Sequence, residues 1–187
     1  MEFITIDFDK SIDRAVFDCE VHPALNVYIA QKAGQDEKRN VSRTFMYVEE
    51  GVLLGYYTLA NASVALDELS DEQAKKMPRY PMPAVLLSRL AVDKASQGKG
   101  LGKRLMADFL RRVYVISKHS GVAFIVVDAK DQGAADYYKG LLFEPSKGNS
   151  LRLVLSTATI IQGLRVQEQA QAKLAVSTGS LGNDYAS

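Results

Sequence analysis

The stretch "SRLAVDKASQGKGLGKRLMADFL", residues 88–110, decides the fold. A short apolar run is followed by Gly98, Gly100 and Gly102 and then by a segment of helical period. In that segment Leu101, Leu105 and Phe109 recur every four residues, with Met106, Leu110 and Val113 on the neighbouring stripe. Glycines let the backbone expose its N–H groups and approach a ligand closely. Where such a turn feeds a helix N-terminus, unpaired amides and the positive end of the helix dipole face one point and bind an anion. The stretch therefore predicts a strand, an anion-binding loop and a helix.

The loop fits neither common nucleotide loop. A Walker A loop runs G-x-x-x-x-G-K-[ST]; here only three residues separate Gly98 from Gly102, one too few, and Arg104 stands where the metal-binding hydroxyl belongs. The dinucleotide fingerprint G-x-G-x-x-G needs glycine offsets of two and three, whereas these are two and two, mid-chain, after several strands.

With 187 residues the chain suits one domain with a real core. A net charge of +1 neither favours nor excludes nucleic acid, because a basic face can sit inside a neutral total. The single cysteine, Cys19, excludes an internal disulfide and fits a reducing compartment. "MEFITIDFDKSIDR" is acidic and alternating, not a signal peptide, and no apolar run is long enough to span a bilayer. A soluble, cytoplasmic protein is expected.

Outward from the loop, "AVLLSRLAV" (84–92) and "VAFIVVDA" (122–129) are continuous apolar strands, as expected where both faces of a sheet are covered. With the helix between them they form a crossover unit. Upstream, "EFITIDF" alternates as a first strand. Ile12, Ala15 and Val16, then Leu25, Tyr28 and Ile29, suggest two short helices broken near Pro23. "RTFMYVEE" and "GVLLGYYTLANASVAL" read as a hairpin turning at Glu49, Glu50 and Gly51. "DELSDEQAKKMPRYPMP" is a polar loop with one helical turn at Glu72 to Lys76. "GAADYYKGLL" is a short helix and "LRLVLS" a last strand. The class is α/β with a mixed central sheet and flanking helices. Residues 1–155 make the domain; 156–187, rich in Gln, Ala and Ser, make an extension with an amphipathic helix at Ile161 to Val176 and ten frayed residues at its end.

Gln97-x-x-Gly100-x-Gly102, directly after "LAV", resembles the acetyl-CoA signature [RQ]-x-x-G-x-[GA] of the GNAT N-acetyltransferases. "ADYYKGLLF" resembles the family's A-x-x-[FY]-Y-x-x-x-G-F segment, and the order of elements matches. The resemblance implies the GNAT (acyl-CoA N-acyltransferase) fold, acetyl-CoA as co-substrate and no metal. It assigns the pyrophosphate of coenzyme A to Gln97, Gly98, Lys99, Gly100, Leu101, Gly102 and Lys103. Leu90, Ala91 and Val92 would pair their backbone with the pantetheine arm like an added strand, one N–H also serving as oxyanion donor. Tyr138 would donate a proton to the departing thiolate, and Tyr137 is the neighbour most easily confused with it. Leu142 stands where the family has a glycine, so the turn into Phe143 is expected to be shaped differently.

No base stands out. His22 and His119 are the only histidines, neither on the two central strands, and Asp128 closes the second strand without a carboxylate partner. Such a site suits an amine of low basicity. At pH 7 a lysine amine is neutral roughly once in two thousand molecules, an α-amine roughly a tenth of the time. "FDCEVHPALNVYIAQKA", "SRTFMYVEEGVLLGYYTLANASV" and "VVDAKDQGAADYYK" look similar to the GNAT toxins of bacterial toxin–antitoxin pairs, over about residues 3–155. That resemblance implies acetylation of the α-amine of aminoacyl-tRNA, a ribbon-helix-helix antitoxin and a homodimer. Arg43, Arg89, Lys38 and Arg39 are candidates to hold the tRNA, while Arg111 and Arg112 read as solvated helix residues. A polyamine or protein amine is the alternative acceptor, and a non-catalytic acyl-CoA-binding regulator the alternative class.

Overall fold

In the computed structural model, which describes residues 3–166, seven strands form one sheet. They are β1 (Ile6–Asp7), β2 (Arg43–Glu49), β3 (Val52–Val64), β4 (Met82–Val92), β5 (Phe124–Asp128), β6 (Glu144–Ser146) and β7 (Asn149–Ser156). Their order is β1-β2-β3-β4-β5-β7-β6, with β4 and β5 parallel and the other neighbours antiparallel. The helices are α1 (Pro23–Val27), which runs through a π-helical turn (Tyr28–Lys32) into α2 (Ala33–Lys38), then α3 (Asp71–Ala74), α4 (Leu101–Ser117) and α5 (Gln132–Lys139). Residues 157–166 are also helical, so the helix expected from Ile161 starts earlier. Its part beyond 166, and the fraying expected of the last ten residues, lie outside the described residues. Among the described residues no helix is long and apolar enough to cross a membrane.

Strand alternation explains the continuous apolar runs. On β5, Ile125 and Val127 pack with Leu105, Phe109 and Val113 of α4, while Phe124 and Val126 turn to the opposite face with Leu69 and Met82. On β3, Tyr57 joins the α4 side, and Tyr56 packs with Ile29 and Ala33 at the π-turn and α2. Each buried Val, Leu, Ile, Met or Phe among them contributes about 1.5–3 kcal/mol. β3 passes so close under α4 that a Cβ at Gly55 would sit 2.9 Å from Leu105 Cδ1 and 3.1 Å from the Ala91 carbonyl. The β2–β3 hairpin turns on Glu50 (φ 51°) and Gly51 (φ 79°), the paired positive angles of a type I′ turn.

Three expectations are corrected. Residues 12–22 form no helix, because Asp9, Asp13 and Asp18 draw the amides of Ser11, Ala15 and Glu20 onto their carboxylates at 2.8, 2.9 and 2.8 Å. Such Asx turns compete with helical bonding, and the helix begins only at Pro23. The first strand shrinks to two residues, since Asp108 of α4 takes the Ile4 amide (2.7 Å) and the Thr5 hydroxyl (2.6 Å). Fully buried, Asp108 also accepts the Tyr57 hydroxyl at 2.8 Å. Arg112, expected in solvent, completes this network: its Nε donates to the Tyr57 oxygen at 2.9 Å, and its guanidinium lies between the rings of Phe3 and Phe45. At the turn into Phe143, Leu142 takes φ 68°, a left-handed backbone that strains a leucine.

Candidate active site

The site is built by a fault in the sheet. β4 and β5 pair only from Ala84–Phe124 to Leu87–Val127. Asp128 then continues along β7, opposite Arg152, while β4 runs on to Val92 against β3 alone. Thr58 of β3 faces Arg89 but the next residue, Leu59, faces Leu87, so Ser88 is the extra residue of a β-bulge. A bulge bends its strand and ends pairing. The result is a notch whose one wall is the unpaired edge of Ser88 to Val92.

A cavity of about 150 Å³ lies in this notch. His22 and Leu25 line it from the start of α1, Leu87 to Leu90 from β4, Asp128 and Lys130 from the end of β5, and Tyr138 from α5. The Asp131 carboxylate accepts the Ala134 amide at 2.8 Å and so caps α5, fixing where Tyr138 stands. The Tyr138 ring packs edge-on against Phe143 and Tyr137, at 5.6 and 5.4 Å between centroids. Burial, with Tyr137 adding to it, pushes the Tyr138 phenol up to about 12. Tyr137 does not line the cavity and is 39% exposed, which separates the two tyrosines by position.

At the far end of the free edge lies the glycine loop. Asp93 accepts the amides of Ala95 (2.9 Å) and Asp18 (3.0 Å), and Lys94 pairs with Asp18 at 2.8 Å, clamping the loop to the N-terminal segment. Gln97 donates its side-chain amide to the carbonyls of Val92 (3.1 Å) and Cys19 (3.2 Å), so it holds the loop shut at its base. Lys99 likewise folds back to the Ala95 carbonyl at 2.8 Å. Gly98 (φ 72°) and Gly100 (φ 79°) adopt left-handed backbone, and a Cβ on either would meet nothing within 4 Å. The first bond into α4 is from the Arg104 amide to Gly100 oxygen, 3.2 Å. Among the described residues the amides of Gly98 to Lys103 have no acceptor. Open space above left-handed glycines and unspent amides at the N-terminus of a 17-residue helix fit a diphosphate.

The four predicted acceptor-binding residues do not come together. Arg89 lines the notch, its guanidinium stacked 3.6 Å from the Tyr28 ring centre. Arg43, opposite Leu59, is two strand spacings from Leu87, about 10 Å. It pairs with Glu37 at 2.7 Å and lines a different groove with Thr44 and Arg112. Lys38 and Arg39 are exposed at the end of α2. Asp128, weighed as a base, is held by Arg152 at 3.0 and 3.2 Å. His22, set aside for lying off the central strands, is at the notch after all, because α1 starts there. His119 is exposed beyond α4. Among the described residues no group of three or more His, Cys, Asp or Glu is placed to hold a metal ion.

Comparison with known proteins agrees with this geometry. The acetyltransferase (GNAT) domain model matches residues 24–152. A curated relative, the tRNA-acetylating toxin of Mycobacterium tuberculosis (strain ATCC 25618 / H37Rv), is 35% identical over 133 residues, covering 71% of this chain and 80% of the relative. The solved structure of AtaT complexed with acetyl-methionyl-tRNAfMet superposes with a TM-score of 0.79 at 29% identity, covering 87% of this chain and 99% of that one. The structure of AtaTR bound with AcCoA gives 0.73 at 28% identity, covering 87% and 97%. A split sheet, a glycine loop of free amides and a buried tyrosine thus coincide with a family match over most of the chain: the protein belongs to the GNAT acetyltransferase family.

Proposed function

We propose that this protein is the toxin of a toxin–antitoxin pair, transferring the acetyl group of acetyl-CoA to the α-amine of aminoacyl-tRNA in the cytoplasm and so stopping translation. One observation carries the reading: the free edge of β4 joins the amide-rich loop at one end to the Tyr138 phenol at the other. The loop amides hold the diphosphate of coenzyme A, and the edge at Leu90, Ala91 and Val92 pairs with the two amides of its arm. That aims a thioester at the cavity. Tyr138, with its phenol held up to about 12, stays protonated at any working pH and donates to the sulfur as its negative charge grows. An N–H of the same strand edge stabilises the carbonyl oxygen as it gains charge.

The acceptor follows from proton chemistry and from basic residues. An α-amine beside an ester needs little help to become neutral, and the notch holds no free carboxylate pair to strip a lysine. Arg89, which lines the notch, supplies a cation for a phosphate backbone, and Lys38, Arg39 and Arg43 supply others away from it. The relatives' names point the same way: one is a tRNA-acetylating toxin, and AtaT was solved with acetyl-methionyl-tRNAfMet. A structure of AtaT bound to the C-terminus of its antitoxin AtaR supports a similar inhibitor for this chain.

The test is incubation of the protein with charged tRNA and labelled acetyl-CoA, beside spermidine and peptide amines. Label in the N-acetylaminoacyl fraction is expected. Label only on spermidine or peptide would replace the tRNA reading, and no transfer to any amine would overturn the enzymatic one.

A further inference from the structure

We infer that His22 is the group that takes the acceptor's proton, an inference resting on the acceptor reading just given. The residue lines the notch from the start of α1, in the same cavity as Tyr138. It caps the start of α1, yet its imidazole makes no capping hydrogen bond, so the ring is not spent on the helix. Its backbone is held in place by its neighbours. Pro23 restricts it to extended conformation, φ −135° and ψ 78°. Its carbonyl accepts both the Leu25 amide at 2.9 Å and the Cys19 thiol at 3.4 Å.

The alternatives around the cavity are occupied. Asp128 is tied to Arg152, Arg89 and Lys130 are cations that cannot act as bases at neutral pH, and Tyr138 is needed as a donor. On its own segment, Asp18 is paired with Lys94 and Glu20 is exposed. An imidazole is the side chain suited to exchanging a proton with an amine near neutral pH, and His22 is the histidine that lines this cavity. The balance is complete. His22 removes one proton from the acceptor ammonium, and the freed lone pair forms the C–N bond as the C–S bond breaks. The sulfur receives the Tyr138 proton, the second proton shed by the new amide nitrogen restores the phenol, and His22 releases its proton to water.

The experiment compares the wild-type protein with His22→Gln and His22→Ala on charged tRNA, measuring kcat/KM from pH 5.5 to 9 and acetyl-CoA affinity by calorimetry. For the wild type the rate should level off at lower pH than for a variant that lacks the imidazole. For His22→Gln it should fall several-fold at pH 7, up to the roughly tenfold set by the share of α-amine that is neutral there, and keep climbing to about pH 8, where the amine itself becomes neutral. Acetyl-CoA affinity should be unchanged, and free imidazole should restore part of the rate of His22→Ala. An unaltered pH profile in either variant, or a lower rate of unaltered shape with no imidazole rescue, overturns the inference. If the wild type itself leaves charged tRNA unlabelled, the acceptor reading falls instead.

Discussion

Tyr138 shows how little a single side chain needs to contribute once its place is fixed. Its hydroxyl makes no hydrogen bond to another described residue, and its ring packs against the core through Phe143. Tyr138→Phe should therefore lower kcat by 10²- to 10⁴-fold, on the order expected for a proton donor, with melting temperature and acetyl-CoA affinity unchanged. A rate within threefold of wild type in a single-turnover assay would remove Tyr138 from the chemistry. Leu142 is the opposite kind of residue, strained and 70% exposed, so it gains little from burial. Relief of its left-handed backbone outweighs the entropy that glycine adds to the unfolded chain. Leu142→Gly should stabilise the protein by about 0.5–1 kcal/mol in urea unfolding.

Between elements, the polar knot beneath α4 does what a longer first strand would have done. Asp108 holds the Ile4 amide, the Thr5 hydroxyl and the Tyr57 hydroxyl at once, with Arg112 alongside. Asp108→Ala leaves the Ile4 amide and both hydroxyl protons without an acceptor and Arg112 without its carboxylate in a buried place, and should cost about 3–5 kcal/mol, while Asp108→Asn should cost less than half as much; chemical unfolding separates them. This knot also marks where the sequence stops being readable. The loop, α4, β4 and β5 are legible because their signals are local: glycine spacing, a four-residue apolar period, runs with both faces covered. The knot joins residues more than 100 positions apart, and nothing in "FITIDF" announces it. The missing helix before Pro23 was legible in principle, since each of three aspartates sits two residues before the amide it captures. At the site, the loop and Tyr138 could be assigned by motif. His22 could not, because its approach to the notch depends on the Ser88 bulge and on the parting of β4 from β5, which no residue type encodes alone.

For the molecule as a whole, packing tyrosines on both faces of the sheet sets an alkaline limit. Burial drives the phenols of Tyr56 and Tyr57 far above the usual 10, and Tyr138 to about 12. Below pH 10 both folded and unfolded chains keep these protons and stability is full. Above it the unfolded chain releases protons that the folded one retains, so stability falls by about 1.4 kcal/mol per pH unit for each such tyrosine. The urea midpoint should be the same at pH 8 and 9.5 and clearly lower at pH 11. An unchanged midpoint at pH 11 would mean that these phenols ionise freely in the folded state.

The span of the Asp108 knot has a consequence for how the chain is made. Synthesis runs from the N-terminus, so Ile4 and Thr5 leave the ribosome long before the carboxylate that holds them. Ile6 and Asp7 can pair with β2 once it is made, but until about a hundred further residues have been added Ile4 and Thr5 lack the carboxylate that holds them, and Tyr138 emerges later still. A nascent chain therefore cannot assemble its notch, which needs both β4 and Tyr138 of α5, while it is still short.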